Sequence, residues 1–196
     1  LKNDGTVWTW GDNAYGQLGS GDNISKTIPT QVGADTIWSK VAVGSGYTVA
    51  LKTNGTLWGW GDNTEGQLGL GNTVTTVNTP TQVGTDTDWT SIAAGGQSHT
   101  VATKNSGALW AWGDNIDGQL GLGDTTNRYE PAVVSDTGWS SVSAGYSDTT
   151  AVRDDGTLWA LGGNDHGQLG VGDTITRTEP TQVGSDNNWT KAASGG

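Results

Sequence analysis

The chain repeats itself. Gly-Gln-Leu-Gly stands at residues 16–19, 66–69, 118–121 and 167–170, so Gln17, Gln67, Gln119 and Gln168 fall 50, 52 and 49 residues apart. A second marker keeps the same beat: Trp38, Trp89, Trp139 and Trp189 are separated by 51, 50 and 50. A period near fifty residues means that one supersecondary unit was copied, and such units stack into solenoids, propellers or arrays. Four copies divide the 196 residues into repeats 1–50, 51–102, 103–151 and 152–196, the last one truncated, within a single segment 1–196.

The second unit shows what is repeated. Val-Ala-Val-Gly (41–44) and Tyr-Thr-Val-Ala-Leu-Lys (47–52) are short apolar runs joined by Ser45-Gly46. Asn54-Gly55 then supplies a hairpin turn. Thr-Leu-Trp-Gly-Trp (56–60) alternates large and small β-favouring residues. A polar stretch leads into Gly-Gln-Leu-Gly, and after a Thr-rich loop Pro-Thr-Gln-Val (80–83) reads as an outer strand that tolerates its proline at an edge. No segment has the i, i+3, i+4, i+7 pattern of an amphipathic helix. Four antiparallel strands per unit predict an all-β chain of four-stranded propeller blades. The small-residue strand (41–44, 92–95, 142–145, 192–195) is placed nearest the axis, where backbones approach closely.

Trp-Gly-Asp-Asn-x-x-Gly-Gln-Leu-Gly-x-Gly-Asp, then Pro-x-x-Val and an Ala-Gly-x-x-His-Thr-like turn, resembles the repeat of the regulator-of-chromosome-condensation family over essentially the whole chain. The resemblance implies a propeller that closes about seven blades, of which four are present. Leu1 aligns with Leu51, and Gly195 and Gly196 with Gly44 and Ser45. The segment 191–196 is therefore expected to pair as an inner strand, and further repeats of the chain or a second copy to complete the ring.

The eleven tryptophans fall in three columns: Trp8, Trp58, Trp110 and Trp159; Trp10, Trp60 and Trp112, with Leu161 in the fourth place; and the Trp38 column. Large aromatics at repeat-locked positions are packing residues, and the four repeat glutamines are structural for the same reason. The family's plant ultraviolet photoreceptor carries further tryptophans in a Gly-Trp-Arg-His-Thr turn. Here that turn reads Gly-Tyr-Thr, Gln-Ser-His-Thr or Ser-Asp-Thr, so the photoreceptor function is not implied.

Several chemistries lack their residues. Without cysteine there is no disulfide, thiolate site or Cys nucleophile. The two histidines, His99 and His166, lie in different columns, and no Gly-x-Ser-x-Gly or His-Glu-x-x-His occurs, so the expectation is no enzyme and no cofactor. Asp12-Asn13, Asp62-Asn63 and Asp114-Asn115, with Asp22, Asp124 and Asp173, invite calcium. No copy has the EF-hand pattern, Asn72 interrupts one set and Gly163 another, and side chains capping turns account for them without metal. No glycine-rich loop leads into a helix or carries a following lysine, so none is a phosphate cradle. A formal net charge of −11 repels phosphate backbones and anionic lipid, which argues against nucleic acid and membrane partners.

Constant positions build the scaffold, so the varying ones are the candidates for recognition. In the inner turn Tyr47, His99 and Asp148 align, with Gln97 and Tyr146 beside them; in the Asx turn Tyr15, Glu65, Asp117 and His166 align. These types on one exposed rim are those that make interface hot spots. The expected function is a non-catalytic propeller scaffold recognising a protein, or a surface glycan, through its loop face, outside the cell or on a cell or virion surface. One alternative is a module of an extracellular or virion-associated fibre, suggested by the Thr/Asn-rich acidic composition and heterologous ends. A lesser one is nucleotide exchange on a small GTPase, which the resemblance suggests, although these residues include no basic tail or wedge insertion.

Overall fold

The computed structural model describes residues 1–71 and 74–195; Asn72 and Gly196, both named above, lie outside them. Fourteen strands run in chain order among the described residues. β1 (Trp8–Gly11) and β2 (Lys26–Gln31) form a two-stranded sheet. Three four-stranded antiparallel sheets follow. The first is β3 (Trp38–Val43), β4 (Tyr47–Lys52), β5 (Leu57–Asp62) and β6 (Thr76–Gln82). The second is β7 (Trp89–Ala94), β8 (His99–Lys104), β9 (Leu109–Gly113) and β10 (Arg128–Ser135). The third is β11 (Trp139–Ala144), β12 (Asp148–Arg153), β13 (Leu158–Gly162) and β14 (Arg177–Gln182). Each sheet is a meander in sequence order, the pattern of a propeller blade.

Sheets meet through their first two strands. β4 and β3 pack on β7, and β8 and β7 pack on β11. The small-residue strand therefore sits where neighbouring sheets approach, as expected. Each blade also hangs on the hairpin turn before it: the backbone N–H groups of Trp38, Trp89 and Trp139 donate to the carbonyls of Gly5, Gly55 and Gly107. At Gly55, φ is +77°, and a Cβ there would run into the Thr87 carbonyl. Glycine is thus required twice over at the turn that carries the next blade.

Apolar side chains fill the spaces between sheets. Tyr47, Val49, Leu51, Leu57 and Leu68 pack against Trp89, Ala102 and Trp112 of the following sheet. Val7 and Val32 pack in the same way against Trp38, Ala50 and Trp60.

Two expectations about the ends are corrected. Residues 192–195 are not a strand, because the described chain holds no second strand to pair with them. They are tethered to the last sheet by Tyr146 N–H to the Gly195 carbonyl (3.0 Å) and by Ser194 N–H to Ser143 Oγ (3.0 Å). Trp10 and Trp189, expected to pack, are 60 % and 41 % exposed. Trp60 and Trp112, at the Trp10 position, lie wholly buried against the Gln-Leu-Gly of the preceding repeat. No described repeat precedes Trp10 or follows Trp189.

Candidate functional site

The loop face is organised by the two most regular polar residues of the repeat. Gln67 Nε2 donates to Asp62 Oδ2 (2.9 Å) while its Oε1 accepts from Glu65 N–H (3.0 Å). Asn63 Oδ1 accepts from Leu68 N–H (3.1 Å), and its Nδ2 donates to the Val74 carbonyl (2.8 Å). The set recurs. Gln17 bridges Asp12 and Tyr15 N–H, Gln119 bridges Asp114 and Asp117 N–H, and Gln168 accepts from His166 N–H. The expected role of these glutamines as structural residues thus has a geometry.

The same glutamines join the blades through their carbonyls. Thr48 Oγ1 and Trp60 Nε1 both donate to the Gln17 carbonyl at 2.9 Å. Thr100 Oγ1 (2.8 Å) and Trp112 Nε1 (3.0 Å) do so at Gln67, and Thr149 Oγ1 (2.9 Å) at Gln119. Leu161 has no indole to add a second donor there. Thr48, Thr100 and Thr149 recur 52 and 49 residues apart, a column visible in the sequence.

Tyr15, Glu65, Asp117 and His166 are thereby presented alike. Each has its backbone N–H pinned by the repeat glutamine at 2.9–3.0 Å. Tyr15 and His166 are exposed, and Glu65 and Asp117 half-buried. Glu65 accepts from Asn127 Nδ2 (2.7 Å). Burial raises the Asp117 carboxyl above its ordinary range, with Asp114 and Asp165 adding repulsion.

The inner-turn column is different, and its expected exposure is corrected. Tyr47, His99 and Asp148 are buried. Each begins a strand and points at the next repeat instead of at solvent. The Tyr47 hydroxyl donates to the His99 carbonyl, accepts from Gly95 N–H (3.1 Å), and lies 3.3 Å from Thr100 Oγ1. Burial raises its pKa. His99 Nε2 lies 3.1 Å from Thr149 Oγ1, and burial pushes the imidazole down to about 4, so it is neutral at pH 7. Asp148 is raised by burial, partly offset by a hydrogen bond from Ser194. The side chains lie over Gly44, Gly95 and Gly145, where any Cβ would strike them. Of their neighbours, Tyr146 is exposed and Gln97 half-buried, its N–H donating to the Tyr146 carbonyl (2.8 Å).

Between the third and fourth repeats the loop face opens into a cleft of about 550 Å³, lined by Asp117, Tyr146, Asp148, Asp165, His166 and Ser194. Gly163 also lines it, standing where Asp12, Asp62 and Asp114 hold their glutamines, so Gln168 has no carboxylate to bind.

Asp22, Asp124 and Asp173 cap their turns and pair with Lys26, Arg128 and Arg177 at 2.6–2.8 Å. Among the described residues no cluster of three or more metal-ligating side chains forms.

The opposite side carries a ladder of cations and indoles. Lys52 lies over Trp58 (3.5 Å) and Trp38 (4.7 Å), Lys104 over Trp110 and Trp89, and Arg153 over Trp139 and Trp159. Lys2 lies over Trp8. The indoles meet edge to face, as at Trp38–Trp58 (6.0 Å). Lys2, Lys52, Lys104 and Arg153 recur 50, 52 and 49 residues apart, a column the sequence displayed and tryptophan counting overlooked.

Stacked four-stranded meanders that pack on one another and present framed loops on one side define a β-propeller. The RCC1-like domain model matches residues 1–196, and the chain belongs to that family. It is 36 % identical over 138 residues to the human E3 ubiquitin-protein ligase HERC2, covering 69 % of this chain and 3 % of HERC2. It is 36 % identical over 137 residues to the ultraviolet-B receptor UVR8 of Arabidopsis thaliana, covering 68 % and 31 %. The structure of human WBSCR16 aligns with all of this chain and 52 % of its own, at 25 % identity and a TM-score of 0.89. Prp20p of Saccharomyces cerevisiae shares the fold at 23 % identity and a TM-score of 0.80, over 92 % of this chain and 46 % of its own. The chain thus spans a minor part of these curated relatives and about half of these structures.

Proposed function

We propose that this chain is a non-catalytic recognition module that binds another protein through its loop face, with Tyr15, Glu65, Gln97, Asp117, Tyr146 and His166 as contact residues. One observation carries the reading. At four equivalent positions the backbone is held by the same glutamine bond, yet the side chains are Tyr, Glu, Asp and His. A fixed frame with unlike side chains changes what the face recognises without changing the fold. Tyr15 and Tyr146 supply large exposed rings, the type enriched at interface hot spots. Alignment with about half of each neighbouring propeller supports further repeats completing the ring.

The test is titration of a partner identified by cross-linking to the whole protein, using Tyr15→Ala, Glu65→Ala, Asp117→Ala and His166→Ala combined. Affinity is expected to fall at least tenfold with an unchanged unfolding midpoint. Unchanged affinity would remove the loop face from the interface, and loss of binding on treating the partner with glycosidase would make the ligand a glycan.

A further inference from the structure

The hairpin turn before β1, β5 and β13 carries one side-chain relay three times over. Trp8, Trp58 and Trp159 Nε1 donate to the hydroxyls of Thr6, Thr56 and Thr157 at 2.8 Å. Each hydroxyl donates in turn to Oδ1 of the residue two places before it: Asp4 (2.6 Å), Asn54 (2.8 Å) and Asp155 (2.7 Å). The threonine N–H donates to the same oxygen at 3.0–3.2 Å. At Asp4 and Asp155 these bonds fall on a carboxylate and hold it below its ordinary range, with Lys2 and Arg153 adding attraction. At Asn54 the same two donors fall on an amide carbonyl.

An amide so placed is activated. Asn54 is exposed, and Gly55 follows it with no Cβ to shield its nitrogen. Attack on the amide carbon builds negative charge on Oδ1, and donors already aimed at that oxygen stabilise the charge. The indole behind the hydroxyl strengthens the donor. Asp4 and Asp155 also precede glycine, but an ionised carboxylate is a poor electrophile.

We propose that Asn54 is a self-modification site, converted to aspartate by its own turn. The Gly55 nitrogen gives its proton to hydroxide and bonds to Asn54 Cγ. The Cγ–Nδ2 bond breaks, and Nδ2 takes a proton from water and leaves as ammonia. Gly55 N–H must first release the Lys52 carbonyl, which it holds at 3.0 Å, so the step is slow and quickens with pH. Water then opens the five-membered imide. Opening at Cγ restores the ordinary backbone and leaves aspartate; opening at the backbone carbonyl carbon leaves isoaspartate, whose chain runs through Cγ. The relay aims its donors at the Cγ oxygen and so favours the first. Isoaspartate would also lengthen the backbone at Gly55, whose carbonyl holds Trp89 N–H (3.2 Å) and which approaches the Thr87 carbonyl too closely for a Cβ. The aspartate product takes the geometry that Asp4 and Asp155 already have, with Lys52 in the place of Lys2 and Arg153. This turn lies with the cation–indole ladder, opposite the loop face, and does not depend on the recognition reading.

The experiment holds the whole chain at pH 8 and 37 °C and follows the tryptic peptide Thr53–Lys104 by mass spectrometry. A gain of one mass unit placed at Asn54 by fragmentation is expected, with Asn63 and Asn78 of the same peptide unchanged. The share of aspartate over isoaspartate, read against synthetic standards, should exceed that from a free peptide of residues 50–60. Thr56→Val removes the hydroxyl and should slow conversion at least threefold, whereas Thr56→Ser should keep the rate. Asn54→Asp, the product made directly, should unfold at a midpoint no lower than the parent's. The proposal is overturned by no conversion while the free peptide reacts completely, by the product ratio of the free peptide, or by a lower midpoint for Asn54→Asp. A folded Thr56→Val chain that converts as fast as the parent overturns it as well; if that variant does not fold, Thr56→Ser and the product ratio decide.

Discussion

Replacing Ala108 with threonine should stabilise the protein, and the reason lies in its sister repeats. The indole N–H groups of Trp8, Trp58 and Trp159 each donate to a threonine two residues earlier, Thr6, Thr56 and Thr157, at 2.8 Å in every case. In the third repeat that residue is Ala108, and Trp110 Nε1 is buried without a partner. Ala108 is 7 % exposed and Thr56 6 %, so a threonine occupies the same kind of space. Its hydroxyl proton has an acceptor too, since Ser106 Oγ already accepts from Ala108 N–H at 3.3 Å. A net hydrogen bond is worth about 1 kcal/mol, and an unpaired buried donor costs about 1–3 kcal/mol. Ala108→Thr should therefore gain about 1–2 kcal/mol, or roughly 2–6 °C in melting temperature for a chain of this size. Ala108→Val is the control, with the same shape and strand preference but no hydroxyl. Urea unfolding followed by tryptophan emission should rank threonine above valine by about 1 kcal/mol. If the bond does not form, a buried hydroxyl costs about 1–3 kcal/mol and the order reverses. Valine equal to or above threonine refutes the reasoning.

Three more outcomes follow from the same geometry. Trp112→Ala should cost about 3–5 kcal/mol, the range for a buried aromatic, whereas Trp10→Ala should stay within about 0.5 kcal/mol; equal losses in calorimetry would contradict the difference in burial. Gln67→Ala leaves Asp62 Oδ2 and Glu65 N–H without their bonds and should cost about 1–3 kcal/mol; Gln168→Ala, exposed and without a carboxylate, should cost less than half as much in the same urea titration. With a folded pKa of about 4, below the unfolded value of 6.5, His99 contributes stability that is complete above pH 6.5 and lost as pH falls toward 4, about 3 kcal/mol in all. His99→Tyr, the residue found at the equivalent position Tyr47, should flatten that part of the stability–pH curve. Asp117 and Asp148, raised by burial, work the opposite way, losing stability as pH rises through their folded values.

The architecture was legible because its determinants are local and copied. Asn54-Gly55 marks a hairpin within five residues of both its strands, and Gly-Gln-Leu-Gly closes a loop whose bonds span two to eleven residues. Such features survive in any one repeat and are confirmed by the next. The contacts between repeats were harder to see. Thr100 Oγ1 meets the Gln67 carbonyl across 33 residues, and nothing near either residue announces the other. Only the equal spacing of the threonine and glutamine columns points to a bond, and spacing alone does not distinguish a bond between repeats from one within them.

Variation proved an uneven guide to the surface. The Tyr15 column and the Tyr47 column change residue type to a similar degree, yet one lies on the loop face and the other is buried. The difference is that Tyr47 opens a strand in phase with Val49 and Leu51, which face the following sheet. β4 is buried at all six positions and β8 at its first five, so Tyr47 and His99 lie inside whichever face they take, and Asp148 opens β12 beside the buried Thr149. Such a position tolerates tyrosine, histidine or aspartate because its surroundings are backbone groups, threonine and serine, which donate or accept as needed. Tyr15, Glu65, Asp117 and His166 lie in a turn between strands, where no period of two assigns them inward, and only their backbones are bonded by the frame. A varying residue in phase with a buried strand face therefore marks an adaptable interior joint. One outside any strand period marks a surface free to specialise.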